Sequence, residues 1–241
     1  VFQTLKLSAC YTRSQLIDGT RLKSYLLKRS FSGANVTVPH KEDAYQLCDE
    51  IRGIANDIKA VNTIIIEDGK LIGYNTDADG FLASIHSYKP LKNALIIGAG
   101  GTAKALSIVL SKNNITPTII NRSSNRLDFF EQAGFETFTW DTFSLSSFDM
   151  IINTTSAGLK DDYLPLSKDI LRPLLSNAKV AVDVIYGKKT PFLDLCETVS
   201  IPYKDGADML LEQGVLANYL FLDETFAIEK IRAIMRESFV F

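Results

Sequence analysis

Apolar and polar positions along the chain follow two periods in turn. GTRLKSYLLKRS (residues 19–30) spaces its apolar residues as an amphipathic helix does, and the flanking ACYTRSQL (9–16) and GANVTVP (33–39) read as strands. A helix is predicted from Lys41 through KEDAYQLCDEI. AVNTIIIEDGKLIGYNTD (60–77) predicts a hairpin, because Asp68-Gly69 between two β-rich arms suits a turn that needs positive φ. ADGFLASIHSY predicts a further helix, and Lys89-Pro90 punctuates the chain as a linker.

Beyond that point the pattern changes. NALIIGAGG, PTIINR, FDMIINTT and KVAVDVIYG are continuous apolar runs, with helical periods in TAKALSIVLSKNN and SSNRLDFFEQAGF between them. Such runs belong to parallel strands buried on both faces. The order βαβαβ predicts an α/β fold. Two helices, GADMLLEQGVLANYLF and DETFAIEKIRAIMRESF, close the chain.

Composition narrows the classes. The chain has 241 residues and a formal net charge of −2, with 46% apolar and 22% charged residues. That is the balance of a protein with an ordinary core. It argues against a nucleic-acid or membrane-surface partner, which would call for a basic face. No run of 18 apolar residues occurs, and VFQTLKLSACYTRSQL lacks the layout of a signal peptide. Cys10, Cys48 and Cys196 are odd in number and form no CxxC, which fits reduced thiols in the cytoplasm. Two histidines without a ligand spacing give no reason to expect a metal.

The glycines of LIIGAGGTAKAL carry the first chemical signal. Gly98, Ala99, Gly100, Gly101, Thr102 and Ala103 lie between a predicted strand and a predicted helix. There a glycine turn lets the backbone approach a pyrophosphate at a helix N-terminus, and Ala103 packs helix on strand. The next strand ends in NRSSNR: Asn121, Arg122, Ser123 and then Arg126. An NAD site usually has a carboxylate there for the ribose 2′-OH. This chain has two guanidiniums instead, which suit a 2′-phosphate and favour NADP. The plainer reading of the glycines is a tight turn with no ligand.

The first half supplies polar residues where apolar runs stop: Asn35, Thr37, Asn62, Asn75, Thr76 and Asp77. Ligands of α/β sheets collect at such strand ends, although Asn and Thr also serve turns, and Asp77 would serve equally as a helix cap. Lys41 stands apart. It opens a helix, where the dipole disfavours an ammonium, and Glu42 and Asp43 in the same turn offset that effect. A lysine so placed, with a carboxylate such as Asp77 beside it, is a candidate for proton transfer.

Together, SGANVTVPHKE, AVNT, GYNTDADGF, GAGGTAKA, NRSSNR, INTTSAG, DVIYGKKTPFL and DGADMLLEQG resemble, in order and along nearly the whole chain, the shikimate dehydrogenase family. The resemblance implies an α/β substrate domain with a mostly parallel sheet (residues 1–76 and 206–241) and a Rossmann-like NADP-binding domain (77–205), with a cleft between them. It implies NADPH-dependent reduction of 3-dehydroshikimate to shikimate, a small-molecule substrate, by a monomer or homodimer with no nucleic-acid or membrane partner. It makes Lys41 and Asp77 the catalytic pair, with Asp77 also touching substrate. Thr37, Asn62, Tyr186 and Gln213 would contact substrate. Thr155, Val184 and Gly206 would lie near the nicotinamide, with Val184 where Met is more usual. His40 is expected to be a neighbour rather than a base. Two other readings stand beside this one. A quinate enzyme preferring NAD is opposed by NRSSNR, and a non-catalytic nucleotide-binding paralogue is opposed by Lys41 and Asp77. Family members begin with a Ser-x-Ser segment that holds the substrate carboxylate. This sequence has none, so that segment is expected to precede the sequence given.

Overall fold

A computed structural model describes residues 1–88 and 90–238, so Lys89 of the expected linker lies outside the described residues. The chain divides into two compact units, Val1–Gly80 with Leu210–Phe241, and Phe81–Met209.

The first unit begins without regular structure from Ala9 to Leu16, where a strand was expected. Thr12, Arg13 and Ser14 interrupt its apolar pattern. Leu16 packs against the core, and the Tyr11 hydroxyl donates to Asn35 Oδ1 of β1's last residue at 3.0 Å without a strand pairing. Helix α1 (Leu22–Lys28) buries Leu22 and Leu26. Strand β1 is Gly33–Asn35, shorter than the expected 33–39. Val36 still donates to Asn62 O at 2.8 Å, but Pro39 has no N–H to offer, and the chain turns through His40 N to Thr37 O (3.0 Å) into α2 (Lys41–Leu47). The expected helix from Lys41 is also cut short. Glu50–Ile51 forms β2 instead, beside the hairpin.

A short α3 (Ala55–Ile58) leads to that hairpin, β3 (Thr63–Glu67) and β4 (Lys70–Tyr74). Its turn has positive φ at Asp68 (49°) and Gly69 (76°), as a type I′ turn requires. The sheet order is β1-β3-β4-β2. Two of its three pairings are antiparallel and only β2–β4 is parallel, so the expectation of a mostly parallel sheet does not hold in this unit. A tight hairpin can join only antiparallel neighbours, and it occupies the sheet centre. Helix α4 (Thr76–Ser84) follows β4 directly.

The second unit carries the parallel sheet. Its elements in order are β5 (Asn93–Ile97), α5 (Gly101–Lys112), β6 (Thr116–Asn121), α6 (Asp128–Gln132), β7 (Glu136–Thr139), β8 (Met150–Asn153), α7 (Lys168–Asn177), β9 (Val180–Asp183), α8 (Pro191–Thr198) and β10 (Tyr203–Lys204). Every pairing is parallel and the order is β10-β9-β8-β5-β6-β7. Counted within the unit this is the doubly wound order 3-2-1-4-5-6, whose direction reverses between β5 and β8. Leu95, Ile97, Ile120, Ile151 and Phe192 pack its core. Helices α9 (Ala207–Phe221) and α10 (Ile228–Ser238) end the described chain.

Candidate active site

In the first unit, Lys41 Nζ donates to Asp77 Oδ2 at 2.6 Å, with the two side chains 28% and 19% accessible. The pair is shielded enough for its attraction to escape much of the screening of a surface pair, yet open enough to reach a ligand. Asp77 is not spent on capping. Asn75 Oδ1 accepts from Ala78 N at 3.3 Å at the start of α4 and fills that place. The Lys41 carbonyl accepts from Val61 N at 2.9 Å, which brings the next residue, Asn62, to the pair.

Asn62 is 3% exposed. Its Oδ1 accepts from Thr76 N (2.8 Å) and Thr63 Oγ1 (3.0 Å), and its Nδ2 donates to Thr76 Oγ1 (3.1 Å). Its first task is therefore to fix the start of α4, and Asp77 with it. Gln213 on α9 reaches the same helix. A Cβ on Gly80 would lie 2.6 Å from Gln213 N, so α4 and α9 meet at backbone distance one turn beyond Asp77. Thr37 is exposed on the turn before α2. His40 Nε2–H donates to Leu16 O at 2.8 Å, and Nδ1 lies 3.3 Å from Asp43 Oδ2. These contacts raise the His40 pKa above the ordinary value, the Leu16 carbonyl contributing most. The ring ties the Leu16 segment to the first turn of α2.

In the second unit the glycine turn sits where the sheet order reverses. Gly98 has φ +108°, and a Cβ there would lie 2.7 Å from Thr154 Oγ1, so the fold itself demands glycine. Gly100 and Gly101 are different. A Cβ on either would meet no atom within 4 Å. The open space stands over the N-terminus of α5, whose N-cap Gly100 offers no side-chain acceptor and whose first turn has no acidic residue. The leading N–H groups of a helix lack internal partners, and here they face space rather than a cap. Ala103 is fully buried against the sheet, and Ala99 is nearly so.

A cavity of 790 Å³ opens at this turn, bounded by Gly98–Gly100, Asn121, Arg122, Arg126, Trp140 and the stretches 154–157 and 161–168. Arg122 and Arg126 form no ion pair among the described residues. Asn121 Nδ2 donates to Ser123 O at 2.8 Å and shapes the loop that carries them. The carboxylate nearest in sequence, Asp128, lines a neighbouring hollow of 340 Å³ with Lys104. Uncapped amides, open glycines and unpaired guanidiniums in one wall fit a large, phosphate-bearing ligand. The plainer reading, a turn with no ligand, accounts for Gly98 but leaves Gly100 and Gly101 unexplained.

Sequence reasoning missed the network that holds the other wall. Asp183 at the end of β9 is fully buried. It accepts from Asn153 Nδ2 (3.1 Å), Ile185 N (3.1 Å) and Thr190 Oγ1 (2.6 Å). Thr190 Oγ1 itself accepts from Leu193 N at 3.3 Å, so its proton points to Asp183. Burial pushes the Asp183 pKa up, and the donors oppose it. Asn153 Oδ1 accepts from both N (3.0 Å) and Oγ1 (2.8 Å) of Thr155, which lines the cavity. Val184 and Gly206 are brought together, since a Cβ on Gly206 would lie 2.2 Å from Val184 O. Tyr186 is 48% exposed on the loop after β9 and belongs to the second unit. Trp140 was missed too. It follows β7, ETFT, a half-exposed edge without an apolar run. Its Nε1 is buried with no acceptor among the described residues, at a cost of ~1–3 kcal/mol for an unpaired donor.

A doubly wound parallel sheet with an open glycine turn at its switch point, and a lysine–carboxylate pair in a second α/β unit, define a dinucleotide-dependent oxidoreductase. The family model for the shikimate dehydrogenase substrate binding domain matches residues 1–64. The NADP(+) shikimate dehydrogenase of Helicobacter hepaticus is 46% identical over 243 residues, covering 98% of this chain and 90% of that protein. The Helicobacter pylori enzyme of the same name is 44% identical, with 91% and 82% covered. Among solved structures, shikimate dehydrogenase from Aquifex aeolicus matches with a TM-score of 0.82 at 30% identity, over 97% of this chain and 88% of that one. Shikimate 5-dehydrogenase from Thermus thermophilus, solved with NADP(H) and shikimate, matches with a TM-score of 0.83 at 28% identity, over 98% and 90%. The chain belongs to the shikimate dehydrogenase family.

Proposed function

We propose that the protein catalyses the reversible, NADP-dependent interconversion of 3-dehydroshikimate and shikimate. The Lys41–Asp77 pair, 2.6 Å apart and part-exposed, carries this reading. When bound, NADPH supplies the hydride from nicotinamide C4. As the ketone carbon of the substrate gains that hydride, its oxygen gains negative charge. Lys41 stabilises that oxygen and gives it a proton, and in the reverse direction takes the hydroxyl proton back. Asp77 orients the ammonium and accepts from a neighbouring substrate hydroxyl. Thr37, Asn62 and Gln213 border the same polyol, and Tyr186 contributes to the substrate pocket.

The cofactor side rests on the second unit. The amides of Gly100, Gly101, Thr102 and Ala103 fit the pyrophosphate. Asn121, Arg122, Ser123 and Arg126 fit the adenosine 2′-phosphate, which favours NADP over NAD. Thr155, Val184 and Gly206 flank the nicotinamide end. No helix among the described residues is long and apolar enough to cross a membrane. The reading places a monomer or homodimer in the cytoplasm. The test is the growth of absorbance at 340 nm when shikimate and NADP+ are mixed with the protein. Shikimate-dependent NADPH formation is expected, and its absence would overturn the proposal.

A further inference from the structure

Among the described residues, Trp140 Nε1 is the buried side-chain nitrogen left without a hydrogen-bond partner. Orphan donors of this kind are rare in folded chains and point to a missing acceptor. The place of this one is informative. Strands β6 and β7 run parallel with Asn121 opposite Thr139. The next residues, Arg122 and Trp140, therefore leave adjacent strand ends together, and both line the 790 Å³ cavity. Arg126 lines it too, and neither arginine has a carboxylate partner among the described residues. This corner holds two cations, and the ring beside them carries one buried, unused neutral donor.

A ribose hydroxyl would look for an acceptor; Asn121, Asp161 and Asp162 line the same cavity, but Arg122, Arg126 and Trp140 offer none. A phosphate monoester has three terminal oxygens, and these can accept more hydrogen bonds than one guanidinium fork supplies. We propose that the Trp140 indole N–H joins Arg122 and Arg126 in reading the 2′-phosphate of the dinucleotide, and so helps to select NADP over NAD. This rests on the NADP reading given above. The nitrogen is covered in the free chain, so the phosphate reaches it through a shift of the ring. Trp140 is the single tryptophan of the sequence, so its emission reports that shift without interference.

Adenosine 2′,5′-bisphosphate and 5′-AMP differ only by the group in question. In calorimetric titrations, Trp140→Phe is expected to weaken the bisphosphate five- to tenfold and to leave 5′-AMP within twofold. Equal losses for both would make Trp140 a wall for the base, and no loss would make it a bystander; either result overturns the inference. A wild-type protein with no preference for the bisphosphate would overturn the NADP reading as well, which separates the two failures. Should the variant fail to fold, wild-type emission decides. It should change with the bisphosphate and hold steady with 5′-AMP, and a similar response to both would sink the idea.

Discussion

The polar groups of the two units are arranged on opposite plans. In the first unit they satisfy one another. Lys41 holds Asp77, Asn62 holds Thr76 and Thr63, and Asn75 caps α4. Among the described residues, the second unit leaves donors unmet at its cavity: the uncapped amides of α5 and two guanidiniums without an ion pair, with the orphan indole N–H buried beside them. On the proposed function, the difference follows from what each side reads. Hydroxyls of a polyol are recognised by exchanging hydrogen bonds, so that side needs groups already placed and oriented. A phosphate brings charge and acceptors of its own, so its side needs vacant donors. Asp183 and Asn153 show the second unit using the first plan behind its open wall.

Breaking the paired side should cost most. Lys41→Ala removes the proposed proton carrier, and kcat should fall by about 10²–10⁴-fold, while NADP binding measured by calorimetry stays near that of the parent. Unchanged turnover would remove Lys41 from the mechanism. Next comes the hidden network. Asp183→Asn turns a three-fold acceptor into a group that must present N–H to at least one donor. It should cost on the order of 1–3 kcal/mol in chemical denaturation and weaken NADP through a displaced Thr155. Loss of stability with NADP affinity intact would confine Asp183 to scaffolding. On the open side, Arg122→Ala should raise the Kd for NADP by roughly tenfold, the scale of one charge-assisted hydrogen bond, and leave NAD nearly unaffected. Equal losses for both dinucleotides would show that Arg122 does not read the 2′-phosphate.

The smallest effect concerns His40. Its folded pKa is raised, so its protonated ring contributes stability that is fully present below the unfolded value of about 6.5 and is lost as pH rises through the folded value. His40→Gln should flatten that part of the pH profile of the thermal midpoint. An unchanged profile would show that the Leu16 and Asp43 contacts do not matter in solution.

Legibility also differed between the units. Strands β5, β6, β8 and β9 announce themselves as apolar runs because both faces are covered. The hairpin turn was readable because Asp68 and Gly69 both need positive φ. Around β1 and β2 reading was harder. GANVTVP and the end of KEDAYQLCDEI carry propensities that pairing partners overrode, since β2 exists only because β4 lies beside it. Lys41 and Asp77 could be nominated from local context, a cation at a helix start and an acid after a strand, although 36 residues separate them. Trp140 and Asp183 could not. Their significance lies in partners, present or missing, brought from strand ends distant in sequence, and no local pattern encodes that.

The open space above Gly100 and Gly101 bears on how such a site can be altered. Recognition by main-chain amides uses atoms that every residue but proline possesses, so no substitution except one to proline deletes a donor. Proline apart, the turn is vulnerable to addition alone. A methyl group set into that space would occupy the ligand's volume without disturbing a single contact of the empty fold. On the proposed reading, an alanine there would therefore separate two properties that most mutations confound, leaving a chain that folds like its parent and has lost room for the pyrophosphate.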